Sequence, residues 1–364
     1  MTAAAPVAST SGTVSQGQYH QRAPQKPRIE LPSGDPSEVV KLNRDVASAF
    51  QVNKHKKEAA RNWDIFYKRN KDGFFKDRHW TDREFDALAQ LEQAQESDIK
   101  GKSKVIMEVG CGTGAFVYPL LERYPSSKFY AFDFSTRAVD LVKSHPSYST
   151  SRVHAFVHDL TSPPGSSSLA EQLSSAPPDF KSDLLPSSSS IDGMKEAFRR
   201  PDIISCIFVL SALPPGKQRA ALRSLVSILA PGGHLLMRDY AIHDAAQLRF
   251  HALPSKGYAS VPSLLSEPTS DDEVSASVRQ GEEDAERGKA WYRRGDSTMT
   301  YFFTPQELQD MIQVEVVQQD DVTGQAFKIV GECTIVERRL ENKAQNWDCT
   351  RRFVHASWQK ITIE

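Results

Sequence analysis

The sequence predicts a doubly wound α/β sheet. Three features carry that expectation: five short apolar runs that end in turn chemistry, a helical pattern linking the fourth to the fifth, and a glycine loop directly after the first. The runs are KVIMEVG, SKFYAFDFS, RVHAFVHDL, PDIISCIFVLSAL and GGHLLMRDY, each the length of a strand buried on both faces. Between the last two, GKQRAALRSLVSILAPGG spaces Ala221, Leu222, Leu225 and Leu229 at helical intervals and stops at Pro-Gly-Gly. Strand, helix and strand in this rhythm build a parallel sheet through right-handed crossovers. Ligands of such sheets sit beyond the carboxyl ends of the strands, so the residues that follow each run are the candidate site.

The first run opens into EVGCGTGAF, where Gly110, Gly112 and Gly114 let the backbone turn tightly and approach a ligand closely. With Ala115 in place of the last glycine, the loop also satisfies a relaxed dinucleotide pattern. Glu108, two positions before the first glycine, and Gly114 favour instead a nucleoside-sulfonium cofactor with no pyrophosphate to cradle. The second run ends in Asp133, about twenty residues further on, where a carboxylate can accept both hydroxyls of a ribose. The third ends in Asp159 and Leu160, an acceptor for an exocyclic amine beside an apolar wall for a purine face. Each Asp taken alone is equally an N-cap for the helix that follows. Together with the glycine loop, they point to an S-adenosylmethionine-dependent methyltransferase.

Composition bounds the rest. The 364 residues carry 45 Lys and Arg against 46 Asp and Glu, so any basic surface is local. Cys111, Cys206, Cys333 and Cys349 show neither C-x-x-C nor paired-His spacing, which signals neither disulfides nor a metal site. No apolar run approaches the length of a membrane span, and a soluble, cytoplasmic or also nuclear protein is expected. Residues 1–40 read as a disordered tail. The late, poorly spread Arg22, Lys26 and Arg28 speak against a mitochondrial transit peptide. Residues 41–100 read as a helical segment, and 101–364 as the catalytic domain with low-complexity inserts at about 162–190 and 262–289. Deletion of Ser166–Ser189 is expected to leave activity within about twofold, because a solvated loop adds little beyond closure entropy.

NWDIFYKRNKDGFFKDRHW, Asn62–Trp80, mixes five basic side chains with six aromatic rings just ahead of the glycine loop. With EVGCGTGAFVYPLL, IFVLSALPP, MRDYAIHDAAQLRF and YRRGDSTMTYFFT, it resembles the tRNA N3-methylcytidine methyltransferases from about Asn53 to Lys360, the two inserts excepted. NWDIFYKRN followed by RHWTDREF is most similar to the branch acting on serine tRNAs. The resemblance implies a class I (Rossmann-like), seven-stranded fold with an N-terminal basic-aromatic RNA-binding extension, acting on cytidine 32 of the anticodon loop. It implies seryl-tRNA synthetase as a partner, and S-adenosylmethionine contacts at Trp63, Tyr67, Gly110, Asp133, Asp159, Leu160 and Ile207. Trp63 and Tyr67, four apart, share a helix face, as ordinary packing pairs also do.

N3 of neutral cytosine has a lone pair and no proton, so methyl transfer asks for alignment and a dry pocket more than for a base. The product ring is cationic, and Asp239 after the fifth run is a candidate to favour it, or else a salt-bridge partner of Arg238. Phe208 is a candidate wall of the base pocket, or else a core residue. Arg78 and His79 are candidates for contact with the target nucleotide, and Lys68, Arg69 and Lys76 for RNA phosphates alongside them. Two other functions fit the same residues: methylation of a protein or small molecule, and a catalytically silent tRNA-binding module.

Overall fold

The computed structural model describes residues 34–40, 49–71, 73–90, 103–162, 168–181, 198–252, 260–262, 290–320, 324–342 and 347–363, all within one compact unit, Leu31–Glu364. The five apolar runs are strands β1 (Val105–Val109), β2 (Lys128–Asp133), β3 (Val153–Val157), β4 (Ile203–Ile207) and β5 (His234–Tyr240). Every residue of β1, β2 and β4 is buried, which is why these runs read as continuous rather than alternating apolar stretches. All pairings among the five are parallel. Seven further strands follow: β6 (Ser260–Pro262), β7 (Ala290–Arg293), β8 (Met299–Thr300), β9 (Gln318–Gln319), β10 (Ala326–Val330), β11 (Cys333–Asn342) and β12 (Trp347–Thr362).

The main sheet has nine strands in the order β3-β2-β1-β4-β5-β12-β10-β9, with β11 on β12, while β6, β7 and β8 form a separate antiparallel sheet. The seven strands expected of the class are thus present, and β9 and β11 are additions. Strand order reverses between β1 and β4, the switch point where such sheets bind ligands. β12 runs antiparallel to β5, the last pair being Tyr240 with Phe353. Its partner β11 continues to the pair Asn342 with Trp347, so a two-stranded ribbon projects past the carboxyl end of β5.

The helix between β4 and β5 spans Pro215–Ile228, buries Ala221, Leu222 and Leu225, and ends with Leu229 at its C-cap. After β2 comes the helix Thr136–Lys143, capped by Ser135, whose side chain accepts from the Ala138 amide. Asp133 is therefore not that helix's cap. Asn62–Asn70 forms the end of a 22-residue helix, Ala49–Asn70.

Two sequence expectations are corrected by burial. At the end of the supposed tail, Pro36–Val39 is a helical turn capped by Asp35, and Val39 and Val40 are buried. Within the first supposed insert, Leu169–Ser174 is a helix with a complete capping box, Ser168 with Glu171. Leu169, Leu173 and Phe180 there join the main core. The ring of Phe180 lies 5.0 Å from that of Tyr130, and Lys128 Nζ donates to the Phe180 carbonyl at 2.6 Å. Serine and proline content hid three core side chains at near-helical spacing. Deletion of Ser166–Ser189 is now expected to destabilise the protein, and Phe180→Ala alone to cost about 3–5 kcal/mol. Chemical denaturation checks this: an unchanged midpoint for Phe180→Ala would show that the segment is a detachable loop after all. Residues 163–167 and 182–190 of that insert and the second insert from 263 onward lie outside the described residues.

Candidate active site

The glycine loop leaves β1 with Gly110 at φ +58°, Gly112 at +52° and Gly114 at +83°, a left-handed series open to glycine and costly to other residues. A Cβ on Gly110 would stand 2.6 Å from Val209 Cγ2, and one on Gly112 would stand 3.0 Å from Tyr67 Oη. The loop is tied to β2 at two points. Cys111 N donates to the Phe132 carbonyl at 2.9 Å, and Gly112 N to Asp133 Oδ2 at 3.0 Å. Asp133 Oδ1 accepts from Ser135 N at 2.9 Å. Burial pushes the Asp133 carboxyl up to about 6, against the pull of those two amides.

A cavity lies over these strand ends. Gly110, Asp133, Asp159 and Leu160 form its floor, and Trp63 and Tyr67 reach it from the N-terminal helix. These are six of the seven cofactor residues expected from sequence. The seventh, Ile207, does not line the cavity: its side chain lies in the core, 1% exposed, and its carbonyl accepts from an Arg78 nitrogen at 3.5 Å. Asp159 turns one oxygen to Thr161, accepting from its amide at 2.8 Å and its hydroxyl at 2.7 Å. Val109, Phe132, His158, Val209 and Leu213 are among its wall residues. Sequence reasoning missed them, although all but Leu213 adjoin a strand end. Asp64 was missed as well: its Oδ1 accepts from Ser135 Oγ at 2.5 Å, fixing the N-terminal helix over the end of β2. Asn62 Nδ2 secures that helix from the other side, donating to the Ser297 carbonyl at 3.1 Å.

Arg78, a candidate for contact with the target nucleotide or its phosphates, is turned inward. Its Nη1 lies 3.2 Å from Glu108 Oε1, with side-chain exposures of 13% and 1%, and its backbone amide donates to the Ala115 carbonyl at 2.8 Å. Burial pushes the Glu108 carboxyl up to about 8, and the guanidinium opposes the shift. Arg78 therefore locks the basic-aromatic segment onto the glycine loop. His79, Lys68, Arg69 and Lys76 are exposed, as the expectation for them requires.

Asp239 is likewise turned inward. It is fully buried and accepts from Ser211 N and Tyr240 N, each at 2.9 Å. Arg238 pairs with Glu84 instead. Asp239 thus fixes the turn Leu210–Ala212 to β5 and does not line the cavity. Burial pushes its carboxyl up to about 6, with the Ser211 hydrogen bonds opposing. Phe208 does line the cavity. Its φ of +59° is a strained conformation for an aromatic residue, costing about 1–3 kcal/mol, and such strain collects at functional sites. Its ring lies 5.1 Å from Tyr240 and 5.5 Å from Phe353.

The cavity suits S-adenosylmethionine. Gly110 lines it with bare backbone, Asp133 retains lone pairs for a diol, and apolar side chains surround the purine position. Among the described residues no group of three His, Cys, Asp or Glu side chains could hold a metal, and no helix is long and apolar enough to cross a membrane.

A glycine loop after β1, an acid ending β2 and an acid–apolar pair ending β3, at the switch point of this sheet, define a class I S-adenosylmethionine-dependent methyltransferase. A family profile described as a methyltransferase domain matches residues 78–313. The chain is 34% identical over 314 residues to the tRNA N(3)-methylcytidine methyltransferase trm141 of Schizosaccharomyces pombe, covering 86% of this chain and 97% of that protein. It is 34% identical to the tRNA N(3)-cytidine methyltransferase METTL6 of Mus musculus, with 89% of each covered. With METTL2 of Danio rerio it shares 32% identity, over 82% of this chain and 73% of the relative. The chain belongs to the family of tRNA N(3)-cytidine methyltransferases.

Proposed function

We propose that this protein methylates N3 of cytidine 32 in the anticodon loop of serine tRNAs, working in the cytoplasm with seryl-tRNA synthetase as a partner. The observation that supports it most is the division of labour in the N-terminal helix: Trp63 and Tyr67 close the cofactor cavity, while Lys68 and Arg69, on the same turn, face solvent. A protein that only bound RNA would have no use for the first pair. The names of the relatives support tRNA cytidine as the acceptor, and the likeness of NWDIFYKRN to the serine branch supports the choice of tRNA.

S-adenosylmethionine supplies an electrophilic methyl group on a sulfonium centre. Asp133 would hold the ribose, Asp159 and Leu160 would hold the adenine, and Trp63 and Tyr67 would keep water out. Methyl transfer to the N3 lone pair would leave the cytosine ring cationic, with no proton lost. No side chain need act as a base. The N3 atom normally lies on the pairing edge of the base, so the loop nucleotide has to be splayed outward to reach the site.

Methyl transfer to purified tRNA pools, with and without the synthetase, followed by nucleoside digestion and mass detection, tests this directly. 3-Methylcytidine in serine tRNAs is expected. A methylated protein or small molecule, or no product at all, would establish one of the rival functions. Replacing Lys68, Arg69 and Lys76 by Ala is expected to weaken tRNA binding and to flatten its log–log salt dependence by up to about 0.9 per lost phosphate contact, while cofactor affinity barely changes. Trp63→Ala with Tyr67→Ala should do the reverse. Equal tRNA affinity of the triple variant and the wild type at every salt concentration would make this helix face merely solvated.

A further inference from the structure

The end of the helix Ala49–Asn70 that carries Trp63 and Tyr67 to the cofactor cavity rests on little apolar surface. Phe66 and Tyr67 pack with Ala138 in a small cluster of their own, with Trp63, Phe75 and Leu141 against it, and these side chains stand apart from the core of the sheet. Val52, at the far end of the helix, does join that core. Hydrogen bonds fasten the cavity end at Asn62, on the Ser297 carbonyl, and at Asp64, whose Oδ1 accepts from Ser135 Oγ at 2.5 Å. The Asp64 bond leads straight into the cofactor floor. Ser135 gives its hydroxyl proton to Asp64 and its amide proton to Asp133 Oδ1, while Asp133 Oδ2 takes the Gly112 amide. Glycine loop, candidate ribose acid and helix end are thus joined in one chain, Gly112–Asp133–Ser135–Asp64. Half-buried Asp64 also meets the N-terminus of the helix Thr136–Lys143, where the Arg137 amide lies 3.4 Å from its Oδ1 and the helix dipole favours a carboxylate. Asp64 does not itself line the cavity, so any influence on a ligand passes through its neighbours.

We infer that Asp64 is a positioning residue of the cofactor site: through Ser135 it latches Trp63 and Tyr67 over S-adenosylmethionine and sets how long the cofactor stays. A cofactor seated on Asp133 lies beside the two rings, and its departure requires the helix end to lift and the bond between Asp64 and Ser135 to part. The inference rests on binding of S-adenosylmethionine and is independent of which RNA is methylated.

Full-length D64A, S135G and the double variant test it. Glycine keeps the amide that Asp133 accepts from and is tolerated at a helix N-cap, so S135G cuts the latch from its other side. Burial first, and the Asp64 charge after it, push the Asp133 carboxyl up to about 6. At pH 8 that carboxyl is ionised in every variant, which leaves the latch as the variable. Labelled S-adenosylmethionine is chased from each protein with excess unlabelled cofactor at that pH, and the on-rate is taken from rapid mixing. Each single variant is expected to raise the off-rate roughly fivefold or more, the loss of one charge-assisted hydrogen bond being enough for that change, with no fall in the on-rate. The double variant should release cofactor no faster than the faster single, because both substitutions cut the same bond. If D64A fails to fold, as judged by its unfolding midpoint, S135G decides by the same criteria. The inference is overturned by an unchanged off-rate in the folded variants, by a double variant whose increase is the product of the two singles, or by affinity lost through a slower on-rate.

Discussion

Asp133→Asn is expected to weaken S-adenosylmethionine binding roughly 10- to 150-fold. A ribose diol would lose a charge-assisted acceptor, and such hydrogen bonds are worth about 1.5–3 kcal/mol. Asn is a cleaner probe than Ala, because Asp133 also accepts from the amides of Gly112 and Ser135. Ala would orphan both buried donors, at about 1–3 kcal/mol each, so an intact fold is not expected of Asp133→Ala. The same carboxyl sets a pH dependence. Its value of about 6 means that it is ionised and fully able to accept above pH 7, and that protonation as pH falls through 6 removes the charge the diol needs. Calorimetric affinity should therefore hold steady from pH 8 to 7 and decline below 6 in the wild type, and Asp133→Asn should remove that dependence. An Asn variant that binds the cofactor as wild type does would take Asp133 out of the site.

Arg78→Met should destabilise the fold by about 1–3 kcal/mol, since it leaves the buried Glu108 carboxyl, mostly protonated near neutral pH, without its hydrogen-bonding partner beside the glycine loop. Methionine keeps much of the apolar stem, so the loss isolates the charge. Adding Glu108→Leu should recover most of the stability, because the double variant no longer buries an unsatisfied carboxyl. Denaturant unfolding of the two single variants and the double forms the cycle. If Arg78→Met unfolds like the wild type yet binds tRNA poorly, Arg78 is a phosphate ligand and the ion pair with Glu108 is incidental.

The sequence alone determined the parts whose chemistry is local. Strands buried on both faces must be written as apolar runs, and a backbone that turns left-handed three times within five residues needs its glycines at Gly110, Gly112 and Gly114. The acids at Asp133 and Asp159 follow from the position of the strand ends. Only the tertiary structure decided the direction in which Lys68, Arg69, Lys76 and Arg78 point. Lys68 and Arg78 look alike as residue types, but Arg78 lies opposite Glu108, thirty positions away, and burying that pair draws it inward. Asp239 was settled in the same way, by the Ser211 amide arriving from the β4 turn. Leu169, Leu173 and Phe180 read as insert because low-complexity neighbours dilute composition, whereas burial depends on the surface each side chain meets once the sheet is built. Apolar periodicity, glycine and capping are written along the chain, whereas the partner of a buried charge is chosen by whichever distant residue the fold brings within a few ångströms. That is why the cofactor floor was legible from the sequence and the lock above it was not.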